Sequence, residues 1–235
     1  MEIKSLASSS KGNCYLISDG SSRLVVECGI PIDRVRDEIP LTCLDGCLIS
    51  HDHKDHCKYV KDIAPYCDIY ASPGTIAALD LGAHKYRGNA LIPGRLITIK
   101  SFKVLAFQTK HDAVDPVGFL IYSTVTEETL FFATDTFYIN QQFSDKFDYI
   151  MIECNYQLEL LEKNLRRELV TVAASKRLLS SHMEFENVKN FLKKLDLERT
   201  KQIYLLHLSN RNSNAEEMKR GIMELTGKPV EICAE

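Results

Sequence analysis

Three of the chain's seven histidines fall in one stretch, His51-Asp52-His53-Lys54-Asp55-His56, which with Asp55 holds four potential metal ligands in six residues. Imidazole nitrogen suits Zn, Fe or Mn, and a carboxylate adds neutralising charge and can bridge two ions. Residues 51 and 53 are two apart and point the same way off an extended segment. Asp55 and His56 turn towards a second point as a helix begins. A metal bound there would turn water into a nucleophile near neutral pH.

Other donors stand singly at the ends of apolar runs. His111 follows a strand ending at Thr109, Asp135 follows Phe131-Phe132-Ala133-Thr134, and His207 follows Tyr204-Leu205-Leu206. Taken together they enlarge one cluster into a two-metal site, because strand ends are held by a rigid core.

The elements that must position these residues can be read from turn residues and periodicity. The chain opens as an antiparallel meander, Ile3 to Ala7, Cys14 to Ser18 and Arg23 to Glu27, reversed at Ser8–Asn13 and Asp19-Gly20. A short helix runs from Pro31 towards Ile39, and Leu44 to Ser50 contains an interior strand. A helix is expected over Lys54 to Ile63, a strand over Asp68 to Ala71, and a helix from Ser72-Pro73 to Leu81. Gly82 to Gly94 reads as an irregular surface loop. Strands are expected at Leu96 to Lys100, Lys103 to Thr109, Val117 to Tyr122, Leu130 to Ala133 and Tyr149 to Glu153.

Helices then dominate. One is expected over Leu158 to Val172, one from a Ser181–Glu184 capping box, and one from a Ser213–Glu216 box to Gly227, with a strand at Ile203 to Leu206 between the last two. The early strands alternate too quickly for βαβ crossovers, so the order fits a mixed two-layered β core covered by helices better than a doubly wound sheet. No flexible linker divides residues 1–235, and a single domain is expected.

With its ligands in the order HxHxDH, His, Asp, His, the chain resembles the metallo-β-lactamase superfamily almost end to end. The resemblance implies an α/β fold, an αββα sandwich of two mixed β-sheets flanked by helices, with the site at one edge of the sheets. It implies that His51, His53 and His111 hold one divalent ion, that Asp55, His56 and His207 hold the other, and that Asp135 bridges both. Zinc suits the set best, with Mn, Fe or Ni as alternatives.

Within the superfamily the chain looks most like a bacterial YycJ/WalJ-like branch of phosphodiesterases and nucleases. The opening Leu6-Ala7-Ser8-Ser9-Ser10-Lys11-Gly12-Asn13-Cys14 carries that likeness, as do His111-Asp112-Ala113, Glu153-Cys154-Asn155 and His182-Met183-Glu184. At Glu27-Cys28-Gly29 glutamate stands where aspartate is commoner, and Met183-Glu184 replaces an expected Leu-Ser.

The function expected is a dinuclear-metal phosphodiester hydrolase, acting through a metal-bridging hydroxide on a nucleic-acid end, a cyclic nucleotide or a small cyclic phosphate. Asp55 is expected to act as ligand and to orient the nucleophile. His182, placed at the start of the helix capped at Ser181, would protonate the leaving alkoxide or hold a phosphoryl oxygen. Two alternatives share the scaffold. A thioester or lactam hydrolase would turn His182 away from the metals and have an apolar pocket. A non-catalytic nucleic-acid or nucleotide-binding protein would lack a ligand.

His84 is read as a loop residue, beside Lys85 and Arg87. Lys163, Arg166, Arg167, Lys176 and Arg177 read as a solvated helix face. With 29 Lys+Arg against 32 Asp+Glu, bulk positive charge does not hold the chain to DNA, although a phosphate substrate needs only a local patch. The expected partner is therefore a phosphate-containing small molecule or single-stranded nucleic acid, and a homodimer is expected from the family. No GxxxxGK[ST] or GxGxxG motif is present. The eight cysteines, none in CxxC spacing, read as reduced hydrophobes. No apolar run reaches membrane-spanning length, and the start reads as the first strand of a mature cytoplasmic chain.

Overall fold

The computed structural model describes residues 1–233. Its chain forms two compact units, one of Met1–Gln108 with Ala113–Thr129, the other of Thr109–Asp112 with the chain from Leu130.

In the first unit β1 (Glu2–Ser9), β2 (Gly12–Ser18) and β3 (Arg23–Val26) form the expected antiparallel meander. Its second reversal is an aspartate turn, with Asp19 Oδ1 accepting from the backbone N–H of Ser21 at 3.0 Å and of Ser22 at 2.8 Å. After α1 (Ile32–Arg36) the sheet grows by parallel addition of β4 (Gly46–Leu48), β5 (Ile69–Ala71) and β6 (Gly88–Ala90). β4 is buried throughout, as a strand covered on both faces must be. Cys14, Cys28, Cys47, Cys57 and Cys67 pack as small apolar groups in this unit's core.

Two expectations need correction here. The helix expected over Lys54 to Ile63 is two short ones, α2 (Lys54–Cys57) and α3 (Val60–Ile63). Tyr59 breaks the run because its backbone N–H is spent on the carbonyl of Cys28, at 3.0 Å. The segment read as irregular from Gly82 to Gly94 instead contains a 3-10 turn at Gly82–Arg87 and the edge strand β6. Polar residues hid this strand, since only its backbone pairs. Before it, α4 (Pro73–Ala78) starts as expected, with Ser72 Oγ accepting from Thr75 N–H at 3.2 Å. The unit also holds the antiparallel strands β7 (Leu96–Ile99), β8 (Phe102–Gln108) and β9 (Val117–Ser123).

In the second unit β10 (Thr129–Ala133), β11 (Tyr149–Glu153), β12 (Gln202–Leu206) and β13 (Val230–Ile232) run parallel, in that order. The helices are α5 (Leu158–Arg166), α6 (Val172–Ser181), α7 (Phe185–Leu192) and α8 (Ala215–Thr226). The single helix expected to Val172 therefore stops at Arg166. The chain turns through Glu168, at φ 57°, and restarts where Thr171 Oγ1 caps Ala174 N–H at 3.2 Å.

The Ser181–Glu184 box does not form, because Ser181 is the last residue of α6. Glu184 itself caps α7, accepting from the backbone of Glu186 at 2.6 Å and Asn187 at 3.2 Å. Likewise Asn214, not Ser213, caps α8, which Gly227 ends in the left-handed conformation at φ 66°.

The strands make two mixed sheets of six and seven, ordered β1-β2-β3-β4-β5-β6 and β13-β12-β11-β10-β9-β8-β7, flanked by helices. Among the described residues no helix is long and apolar enough to cross a membrane.

Candidate metal centre

The histidine-rich stretch leaves β4 as extended backbone and bends into α2, with His53 as its N-cap. That bend gathers the imidazoles: the His51 ring lies 4.7 Å from His53 and 4.2 Å from His56, centroid to centroid. His51 and His56 are buried. Asp55 Oδ2 is 3.4 Å from His56 Nε2. Asp52 is used structurally, its Oδ1 accepting from Val114 N–H at 3.1 Å.

Residues singled out at most as landmarks hold this loop. Asn13 Nδ2 donates to the carbonyl of Asp55 at 3.3 Å and lies 3.1 Å from His56 Nε2. Ser50 Oγ lies 2.8 Å from His51 Nδ1. Glu27, fully buried just past β3 at φ 63°, accepts from Ser50 N–H at 3.2 Å, and its carboxylate stands 3.6 Å from His56 Nδ1. Burial pushes its carboxyl up, against the pull of His56. A carboxylate behind a ligand imidazole fixes the ring and raises its basicity. Glu27 sits on a left-handed backbone, which sequence does not signal.

Gly29 closes the same unit. A Cβ there would sit 1.7 Å from the carbonyl oxygen of Asp55 and 2.8 Å from Asn13 N, both backbone. Gly29→Ala is expected to cost about 2 kcal/mol, typical of overpacking, and to weaken metal retention. Denaturant unfolding checks this, and an unchanged midpoint would count against it.

In the second unit Asp135, Glu153 and His207 stand at or just beyond the ends of β10, β11 and β12. Asp135, just beyond β10, is buried and held at φ 43°, and His207, directly after β12, at φ 53°. Such conformations cost a non-glycine residue about 1–3 kcal/mol and concentrate at functional sites. The two Asp135 oxygens face different imidazoles, with Oδ2 3.5 Å from His111 Nε2 and Oδ1 3.5 Å from His207 Nδ1. His111 Nδ1 lies 2.8 Å from the Ser181 carbonyl, an acceptor that fixes Nδ1–H and leaves the lone pair on Nε2. Burial pushes His111 below its ordinary value despite Asp135, favouring the neutral ring a metal requires.

His182 stands at the C-terminal end of α6, not at a helix start, so the expected support from helix N–H groups is replaced by a carboxylate. Its Nδ1 is 2.6 Å from Glu153 Oε1, and its ring lies 5.3 Å from His207 and 5.5 Å from His111. Glu153, fully buried at the end of β11, also accepts from the backbone N–H of Thr136 at 2.9 Å and Met183 at 3.1 Å. Burial opposes both charges, yet their mutual attraction prevails: Glu153 is held below the usual carboxylate range and His182 above the usual imidazole range.

His84 lies in the 3-10 turn, its Nδ1 3.4 Å from the Tyr86 hydroxyl. Lys163, Arg166, Arg167, Lys176 and Arg177 are exposed.

Among the described residues of the second unit, Asp135, Glu153, His182 and His207 bring donor atoms close enough together to hold a metal ion. Mixed imidazole and carboxylate donors, with imidazoles backed by acceptors, fit a divalent first-row ion. Within this group His182 and Glu153 spend their facing atoms on each other.

A model of the β-lactamase superfamily domain matches residues 30–208. The chain belongs to the metallo-β-lactamase superfamily. With its donor groups, this superfamily chain is a metal-dependent hydrolase.

Exodeoxyribonuclease WalJ of Streptococcus pneumoniae is 27% identical over 227 residues, spanning 88% of this chain and 81% of that protein. The metallo-β-lactamase fold protein YhfI of Bacillus subtilis superposes with a TM-score of 0.78 at 18% identity, covering 98% of this chain and 95% of its own. Zn(2+)-bound PqqB of Methylobacterium extorquens does so at 0.73 and 14%, covering 99% and 98%.

Proposed function

We propose that the chain is a phosphodiesterase that uses two divalent ions, zinc by preference, to cleave nucleotides from a single-stranded nucleic-acid end. His51, His53 and His111 would hold one ion, Asp55, His56 and His207 the other, and Asp135 both. Ions bound there supply Lewis acidity, lowering the pKa of water to about 7 and neutralising phosphoryl oxygens.

The chain's residues do the rest. Asp55 accepts a proton from the attacking water and aims its lone pair, while Glu153 holds the His182 ring with Nε2–H free to protonate the leaving alkoxide.

The observation that carries the reading is the His182–Glu153 pair, 2.6 Å apart and beside His207. A thioester hydrolase releasing a thiolate has no need of an imidazole backed by a carboxylate at the leaving group, whereas departure of an alkoxide does. The exodeoxyribonuclease activity named for the relative supports a nucleic-acid end over a cyclic phosphate.

The test is a panel on metal-loaded protein: single-stranded DNA and RNA, cyclic mononucleotides, bis-p-nitrophenyl phosphate, a thioester and a β-lactam. Mononucleotide release from single strands is expected, abolished by a chelator and restored by the metal. Turnover of the thioester or lactam alone would overturn the reading.

A further inference from the structure

In the second unit His207 leaves β12 in the left-handed conformation, at φ 53°, and a residue with a Cβ stays there only where its neighbours over-determine it. Those neighbours come from the end of β11. Cys154 N–H donates to the Leu206 carbonyl at 2.9 Å, keeping the two strands paired up to His207. Beyond the turn, Ser209 N–H donates to the Asn155 carbonyl at 2.8 Å.

The carbonyl of His207, which lies between these two backbone bonds along the chain, is taken by a side chain. Asn155 Nδ2 donates to it at 2.6 Å. A carbonyl oxygen only accepts, so it is the amide nitrogen that must face His207. The same Nδ2 lies 3.2 Å from His207 Nδ1, and Asn155 is buried. One amide group thus touches both the backbone and the ring of His207. The backbone N–H of Asn155 donates to the Met183 carbonyl at 3.0 Å, tying the same residue to the segment that carries His182.

The first unit uses an asparagine in a like manner. Asn13 Nδ2 is shared between the Asp55 carbonyl and His56 Nε2, at 3.3 Å and 3.1 Å.

We infer that Asn155 is a positioning residue, whose amide holds the left-handed turn and the ring angle of His207 and so sets how tightly that imidazole grips a divalent ion. The inference rests on the reading of His207 as a ligand and deepens it. A buried amide donor suits this task because it carries no charge that would compete with the ion or with Glu153.

The experiment compares wild type with Asn155→Leu, Asn155→Ala and His207→Ala. Asn155 Oδ1 makes no hydrogen bond to the described residues, so leucine, of similar shape, removes only the Nδ2 donor. Alanine serves as the second variant should leucine disturb the core. Zinc affinity is measured by competition with a chromophoric chelator. Visible absorption of the cobalt-loaded proteins reports the geometry around the ion, and unfolding of the chelator-treated proteins is followed in parallel.

His207→Ala sets the full effect of losing the ligand. Both Asn155 variants should weaken zinc by about tenfold to 100-fold, as loss of an outer partner of a metal-binding histidine does, with a changed cobalt spectrum. A purely structural role would lower the unfolding midpoint of the metal-free protein and leave affinity and spectrum as in wild type. That result would overturn the inference, as would Asn155 variants indistinguishable from wild type while His207→Ala loses zinc. Wild-type zinc and cobalt binding in His207→Ala would remove the ligand assignment itself, and the inference with it.

Discussion

Asp135→Asn is expected to lower phosphodiester turnover by about 10³-fold, the upper range for losing one electrostatic stabiliser, and to release metal. The substitution separates charge from shape. Asparagine tolerates the left-handed backbone that Asp135 adopts at φ 43°, so the turn after β10 should persist. What disappears is a negative charge whose two oxygens face two imidazoles, each 3.5 Å away, in a buried setting. There an amide offers one acceptor oxygen and a donor that repels a cation.

Thr134 Oγ1 donates to Asp135 Oδ1 at 3.1 Å and can do the same for an amide oxygen, so local hydrogen bonding survives. Metal content per chain and kcat/KM on an oligonucleotide measure the outcome. Full metal content with near-normal turnover would remove Asp135 from its proposed bridging position.

Much of the arrangement was legible because ligands and strands obey different patterns that meet at strand ends. Apolar runs located β10, β11 and β12 to within a residue or two, and polar His111, Asp135 and His207 stood just beyond such runs. The HxHxDH stretch was conspicuous because it compresses four donors into one exit from β4.

Less legible were groups whose work depends on contacts between distant segments. Glu153 looked like the last residue of a strand. Its hydrogen bonds to His182, Thr136 and Met183 join three segments that only folding brings together. Glu27 and Asn13 were noticed as landmarks, but their roles behind His56 come from the left-handed turn at Glu27 and the close Gly29 backbone.

The two misplaced caps have one origin. Spacing marks Ser181 and Ser213, but the caps are Glu184, three residues on, and Asn214, one residue on. Spacing allows both, and packing of Phe185 and Met218 into the core selects the register.

His182 is where that correction changes the chemistry. With no helix start behind it, its proposed role as acid depends on Glu153, whose attraction raises its pKa, and the two residues make separable predictions. His182→Ala should leave metal content intact and lower turnover by about 10²-fold or more, as loss of a general acid does. Glu153→Gln should keep the ring near its place through the amide oxygen but remove the charge that raises the imidazole.

The sign follows from which form acts. The protonated ring is the proposed acid, so activity should fall as pH rises through its pKa, and removing the carboxylate lowers that pKa. The alkaline limb of the kcat profile should therefore move to lower pH in Glu153→Gln, while a merely structural loss would scale the whole profile down without moving it. The loss at neutral pH should be about tenfold to 10²-fold, as for outer partners of metal-site histidines. Substrates with an acidic leaving group, such as bis-p-nitrophenyl phosphate, need little proton donation and should lose least in both variants. An equal loss on activated and unactivated phosphodiesters would show that His182 positions the substrate and delivers no proton.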